Sequence, residues 1–350
     1  MPKKVLLFVI ILSTYLLLWP VPIDPVSWEA PKDQGFVGDF EQNTRLEAIE
    51  IIALSDTHGP EGLALKGSEI YAATREGWIV RYNEGTGEQI KWVNTEGSPL
   101  GLVFDKENNL LIADAYKGLL KVTPSGELSV LTRSVNGTDI DYADDLDITA
   151  DGKIYFSDAS TKFGAHMGGT YAASLLDTME HGGHGRLLVY DPIDESTKIL
   201  MDGLNFANGV AADANSEFIL VNETGGYRIH KYWLKGPKTG QSDVLIDNLP
   251  GFPDNIVRGR DGRFWVGLVS PRSKALDNLS SSPILRKVVQ RLPEFMRPQA
   301  VSYSHVFAMN GEGEVLISLQ DPNGEHHTNT GALETDDWLY SSSRHAYNPA

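Results

Sequence analysis

The stretch LPGFPDNIVRGRDGRFWVGL, residues 249–268, places two oxygen-bearing side chains, Asp254 and Asn255, ahead of an alternating apolar run containing Trp265. Pro, Asp and Asn are turn formers, and a turn alone would account for them. Five other segments repeat the pattern. They are EGLALKGSEIYAAT from Glu61, LGLVFDKENNLLIAD from Leu100, DDLDITADGKIYFSD from Asp144, NGVAADANSEFILVNE from Asn208 and HVFAMNGEGEVLISL from His305. Each has a short apolar run, a turn rich in Asp, Asn or Gly, and a second apolar strand, which is the signature of a β-hairpin.

Most units continue into a third strand, as in GWIVRYN or GRLLVYDP, and a weaker fourth, as in TKILMDG. Four strands per unit, recurring at roughly 40 to 60 residues, predict an all-β, six-bladed β-propeller. The propeller is expected over residues 45–350, with RLEAIEIIAL near its start pairing with WLYSSSRH near its end to close the ring. Insertions are expected at residues 159–185 and 271–304. In the second, Ile284, Leu285, Val288, Val289 and Leu292 fall at helical spacing, with Arg and Lys opposite. Such a helix packs on the propeller, or serves as a lid or a membrane-contacting element.

In a propeller, the residue ahead of each innermost strand stands at one end of the central channel. The six positions are Glu61, Leu100, Asp144, Asn208, Asp254 and His305. Four carry carboxylate or amide oxygens at the same phase, which turn chemistry does not require. Converging carboxylates repel unless something positive lies between them. A hard cation with oxygen ligands, Ca2+ above all, suits that set, with another divalent cation as the alternative. Zinc would want His or Cys, and only His305 is in phase. The competing reading is a hydrated polar channel. Asp145 is open to three roles: the same ion, a second ion or a strand cap.

Composition narrows the field. The 350-residue chain carries a formal charge of −17, which argues against nucleic acid as a partner. It has no cysteine, so disulfides, thiolate catalysis and Cys-ligated zinc are excluded. At the N-terminus, Lys3 and Lys4 precede an apolar run from Val5 to Trp19. Residues 1–22 therefore read as one hydrophobic helix, a signal-anchor or a cleaved signal peptide, with 23–44 as a linker. Positive-inside logic puts the propeller outside the cytoplasm, membrane-anchored, or secreted if the segment is cleaved. Asn136, Asn222 and Asn278 open glycosylation sequons.

SPLGL, ADAYKGLLKV, IYFSDASTKF, FANGV, RIHKYWLKGPKTG and GFPDNI with FWVG together resemble the strictosidine synthase-like proteins, in the subgroup of adipocyte plasma membrane-associated type. The wider superfamily includes regucalcin-type gluconolactonases and paraoxonases. The resemblance implies a six-bladed propeller with a divalent metal in its channel, held by Glu61, Asn208 of the Phe-x-Asn-Gly motif and Asp254, with Asn255 as an extra ligand. Asp144 falls where relatives carry Asn, which adds a negative charge. Leu100 stands where paraoxonases have His, so a base of that kind is not supported. Asp254 and His305 are the candidate catalytic bases. The loop histidines His58, His166, His181 and His184 read as solvated.

The expected function is calcium-dependent hydrolysis of a small-molecule ester or lactone. Amine–aldehyde condensation, as in strictosidine synthases, is one alternative. A non-catalytic, calcium-stabilised propeller that binds a partner is the other.

Overall fold

The computed structural model describes residues 3–54 and 56–344. Strands dominate them. Five antiparallel sheets of four strands and a sixth unit of two strands follow one another along the chain, each built from consecutive strands. Their innermost strands are Leu63–Lys66, Pro99–Phe104, Ala143–Ile148, Ala207–Ala212, Gly251–Arg258 and Asn329–Glu334. Each touches its neighbours in that order, and the sixth touches both the fifth and the first, so the ring is closed and the fold is a β-propeller. Aliphatic and aromatic faces of adjacent blades form the core. Tyr71 and Ile79 of blade one meet Leu110 and Ile112 of blade two, and Leu220 and Ile229 of blade four meet Val266 and Phe307 of blade five.

One expectation is corrected by the strand order. Ser304–Met309 and Val315–Asp321 are the third and fourth strands of blade five, paired with Phe264–Pro271. His305 therefore does not open an innermost strand. The inner strand of the sixth unit is Asn329–Glu334, paired with Leu339–Ser343. Residues 45–54, expected to complete that unit, form no strand. Instead Leu46 is buried beside Trp265 and Val306, and its N–H donates to the Gln320 carbonyl at 3.0 Å.

Both expected insertions fall between second and third strands, of blades three and five. The first holds the helix α2 (Thr170–Glu180), and the second holds α3 (Lys274–Asn278) and α4 (Pro283–Gln290). In an antiparallel blade that connection lies at the end where the innermost strand begins. The insertions therefore cap the face on which the ring residues sit.

The N-terminal segment forms α1 (Lys3–Leu18), a 16-residue helix with no buried residue. No helix among the described residues is long and apolar enough to cross a membrane. Residues beyond it run without helix or strand as far as Val37 and lie against the insertions. Ile23 joins the core cluster under α2, Trp28 stacks on His181 at 3.9 Å, and Phe36 stacks on Tyr303 at 4.6 Å.

Arg286 of α4 is fully buried against the expected facing of that helix, while Val289 packs on the core as expected. Its guanidinium donates to the carbonyls of Met179 (3.0 Å), Glu180 (3.2 Å), Ser280 (3.0 Å) and Val26. A guanidinium bonded to four carbonyls can occupy an interior position that hydropathy assigns to Ile or Leu. Ile284 and Leu285 turn outward instead.

Candidate metal-binding site at the channel mouth

Every innermost strand carries one extra residue at the same height. Pro99 to Leu102 spans three steps against two from Asp114 to Ile112. Ala143 to Leu146, Ala207 to Val210 and Pro253 to Ile256 do the same against their partners. In blade one, Ala73 pairs with both Glu61 and Gly62, and in the sixth unit Thr330 is the additional residue. A β-bulge re-aims a side chain that regular pleating would point between the sheets. The residues so aimed are Glu61, Leu100, Asp144, Asn208, Asp254 and Thr330. Five match the expected ring; Thr330 takes the place assigned to His305, and its hydroxyl donates to the Glu61 carbonyl at 2.8 Å.

The position following is Gly in four blades, and at Gly62, Gly101 and Gly209 the inner strands approach closely. A Cβ on Gly62 would lie 2.0 Å from the Leu100 carbonyl oxygen, and one on Gly209 would lie 2.5 Å from that of Asp254. The other two bear Asp145 and Asn255. Asp145 Oδ2 accepts from Val210 N–H at 3.0 Å and Oδ1 from Leu146 N–H at 2.9 Å. Asp147 Oδ2 accepts from Ala212 N–H at 2.9 Å. These two carboxylates tie blade three to blade four, which gives Asp145 an interblade structural role. Burial, only partly offset by those N–H groups, pushes Asp145 up to about 7.

A second set of carboxylates holds the loops that lead into the ring. Asp114, Asp158 and Glu223, each ending a second strand, accept from the N–H groups of Ser98 (3.1 Å), Tyr142 (3.2 Å) and Asn205 (3.1 Å). Glu223 also binds Arg228 (2.7 Å) and His230 (2.6 Å). Burial alone would raise its pKa, but these partners outweigh it and bring Glu223 down to about 2.

At the ring itself, Glu61, Asp144, Asn208, Asp254 and Asn255 are all buried. The Asn208 amide donates to Asp254 Oδ1. Asp144 Oδ1, Asn208 Oδ1, Asp254 Oδ2 and Asn255 Oδ1 are buried with no hydrogen-bond partner. Burial raises Asp144 and Asp254 well above the carboxylate range and raises Glu61, and the repulsion among the three adds to the effect on Asp144 and Asp254. Arg344 and, more weakly at Glu61, Arg75 oppose it. Arg344, just past the last strand, sets Nε 2.8 Å from Glu61 Oε2 and donates to the Thr170 hydroxyl of α2. Nothing in the chain before it marked Arg344; the only sequence signal is a lone charge in the otherwise uncharged run YSSSR.

Among the described residues, no three His, Asp or Glu side chains stand as they are in a metal-holding arrangement. The donor chemistry nevertheless fits a hard divalent cation. Four buried oxygens lack donors, two of them are amides, and unpaired buried oxygens cost free energy that a cation would recover.

His305 is elsewhere. Its ring contacts Phe36, Phe40, Tyr303 and Phe307, Nε2 meets Ser318 Oγ at 3.1 Å, and burial lowers its pKa to about 3. It reaches neither the ring nor the cavity above. His181, read as solvated, is buried under Trp28, and His184 Nε2 lies 2.7 Å from Glu180. The Asn222 sequon is buried, with Nδ2 bonded to the Asp254 carbonyl, so it has no room for a glycan.

Two cavities meet at the ring. One of about 320 Å³ continues along the axis past Asp145, Asp147, Asn255 and Arg258. The other, about 690 Å³, lies under the insertions. Leu175, Phe206, Phe252, Leu276 and Val301 make its walls mostly apolar, and Asn208, Asp254 and Arg344 supply polar groups at the ring.

These features define the class: a propeller with an acidic and amide axial site beneath an apolar chamber. A strictosidine synthase profile matches residues 144–237, and one described as strictosidine synthase-like, N-terminal, matches 38–82. The adipocyte plasma membrane-associated protein of Bos taurus is 35% identical over 332 residues, 89% of this chain and 79% of its own. A strictosidine synthase-like protein of Arabidopsis thaliana is 40% identical over 247 residues, 69% of this chain and 60% of its own. Among solved structures, a gluconolactonase from Xanthomonas campestris superposes with a TM-score of 0.60 at 16% identity, covering 82% of this chain and 84% of that one. Regucalcin from Agrobacterium tumefaciens, described as a calcium-binding protein, gives 0.54 at 12% identity over 79% and 78%. The chain belongs to the strictosidine synthase-like family.

Proposed function

We propose that the chain is a metal-dependent hydrolase acting on an ester or lactone at the mouth of a six-bladed propeller. The two-stranded unit Asn329–Glu334 with Leu339–Ser343 is read as the inner half of blade six. The carrying observation is the set of four donor-less buried oxygens, on Asp144, Asn208, Asp254 and Asn255, at the base of an apolar chamber. Glu61, Asp144, Asn208 and Asp254 would hold the ion, Ca2+ by ligand chemistry, with Asn255 beneath them. A bound divalent cation there would polarise the ester carbonyl and stabilise the developing oxyanion.

The chain's own groups supply the remainder. The Asn208 amide fixes Asp254 by its Oδ1, which orients the carboxylate to accept a proton from the attacking water. The apolar walls hold the acyl or ring portion of the substrate and exclude bulk water. The regucalcin and gluconolactonase likeness in fold supports this reading. The N-terminal segment is taken to anchor the protein with its propeller outside the cytoplasm, and the relatives named for plasma membrane association favour that placement.

The match to the strictosidine synthase profile across residues 144–237 favours a second reading, condensation of an amine with an aldehyde in the same chamber. One panel separates them. Purified protein is offered phenyl acetate, several lactones and an amine–aldehyde pair, with Ca2+ or with chelator. Ester or lactone turnover lost on chelation supports hydrolysis. Turnover of the amine–aldehyde pair alone, or of nothing, rejects it.

A further inference from the structure

The face that carries the chamber also carries a cluster of strongly exposed apolar side chains. Phe295 is 81% exposed, Ile284 72%, Met296 55% and Leu285 50%, all within the blade-five insertion. Ile284 and Leu285 are outward because Arg286 holds the inward position on α4, bonded to the carbonyls of Val26 in the N-terminal segment, Met179 and Glu180 of α2, and Ser280 in the loop before α4. The outward face is therefore fixed, not a consequence of loose packing.

The N-terminal helix Lys3–Leu18 adjoins it. Tyr15 Oη donates to the Arg291 carbonyl at 2.9 Å. The Arg291 guanidinium in return binds the carbonyls of Leu16 (3.0 Å) and Trp19. A guanidinium on the last free carbonyls of a helix caps it and complements its dipole. This cap pins a largely exposed apolar helix to the end of α4. Trp19, at the junction, is 60% exposed. At about 1.5 Å per residue the helix is roughly 24 Å long, a little less than a hydrocarbon core of about 30 Å.

Charge follows the same geography. The chain carries −17 overall, yet residues 271–304 hold six Arg and Lys against two Asp and Glu; Arg272, Arg286 and Arg291 are buried, which leaves Lys274, Lys287 and Arg297 against Glu294 at the surface. A basic segment presenting Phe, Met, Ile and Leu matches an interfacial element that lies in the headgroup region of an anionic bilayer.

We propose that α4 and the turn Glu294–Met296 form a second membrane contact, docking the chamber face onto anionic lipid beside the N-terminal helix. Gln290, Arg297 and Val301 line the chamber and belong to the same segment, so its entrance opens at the lipid surface. Substrate then arrives by partitioning from the bilayer. The inference stands on the insertion's geometry and does not depend on the metal or the reaction.

The absence of cysteine makes the test direct. Full-length protein carrying Phe295→Cys or Ile284→Cys is labelled with an environment-sensitive fluorophore and mixed with vesicles containing phosphatidylserine. Ile193→Cys, 88% exposed in the turn between third and fourth strands of blade three and hence on the opposite face, is the reference. Labels at 284 and 295 shift to the blue and are quenched by bilayer-borne quencher, while the label at 193 is not. In the full chain, Ile284→Glu with Phe295→Glu lowers vesicle partitioning by on the order of tenfold per side chain. Labels at 284 and 295 that stay as wet as that at 193 would overturn the proposal. So would a blue shift that grows with protein concentration in the absence of vesicles, since it would mark an interface between copies.

Discussion

Arg344 and Glu61 form an ion pair of 2.8 Å between the end of the described chain and the first inner strand. Glu61 is 6% exposed, and the pair sits among Asp144, Asp254 and Asn208. The guanidinium is thus the resident positive charge of a site built from carboxylates and an amide.

Arg344→Gln leaves Glu61 uncompensated beside two further carboxylates. Removing one partner of a buried pair costs about 3–5 kcal/mol. The variant should lose that much stability in chelator and regain most of it in millimolar Ca2+, because a cation at the ring would neutralise the same carboxylates. Thermal unfolding in the two buffers checks this. An equal loss in both would show that Arg344 serves packing alone.

Asp254→Asn keeps the shape and the contact with Asn208 but removes the charge. Hydrolysis should fall by about 10²–10⁴ in kcat, the usual scale for loss of a general base. Glu61→Gln should instead remove the upward shift in melting temperature that Ca2+ produces. Steady-state kinetics and calcium titration of the melting temperature report the two effects separately.

Glu223 governs acid stability. Its native pKa, about 2, lies below the ordinary glutamate value, so the unfolded chain binds the proton first as pH falls. The stabilisation is complete above about pH 5 and is lost between there and pH 2. Integrated over that window it is on the order of 3 kcal/mol. Glu223→Gln should be less stable than wild type at pH 7 and nearly equal to it near pH 2. Urea unfolding at both pH values measures the gap.

Gly62→Ala and Gly331→Ala test the crowding behind the ring. The first added methyl meets the Leu100 carbonyl oxygen at 2.0 Å, and the second has no neighbour nearer than the Asn255 Cβ at 3.3 Å. Overpacking costs about 1–3 kcal/mol. Gly62→Ala should pay the upper end or fail to fold, while Gly331→Ala should melt within a few degrees of wild type. Comparable melting temperatures would show that the inner strands separate easily.

Glu61, Asp144, Asn208 and Asp254 were legible in the sequence because a hairpin repeat preserves phase, and phase in a propeller is position around the axis. His305 was misplaced by the blade-five insertion. Residues 271–304 separate the second strand from the third, so Ser304–Met309 looks like the start of a new unit. Thr330 was hidden because the true sixth unit has only two strands among the described residues and no Asp or Asn at its bulge. The inward position of Arg286 on α4 was not readable at all. It depends on carbonyls of Val26, Met179 and Glu180, more than a hundred positions away, and periodicity within a helix carries no information about them.

The repeated bulge has a bearing on how such a ring can be altered. Because the additional residue sits at one height in every blade, its side chain can be exchanged without shifting the pairing on either side. The channel mouth thus behaves as a set of separate sockets on a common frame, and charge or shape can be reprogrammed one socket at a time while the frame stays in register.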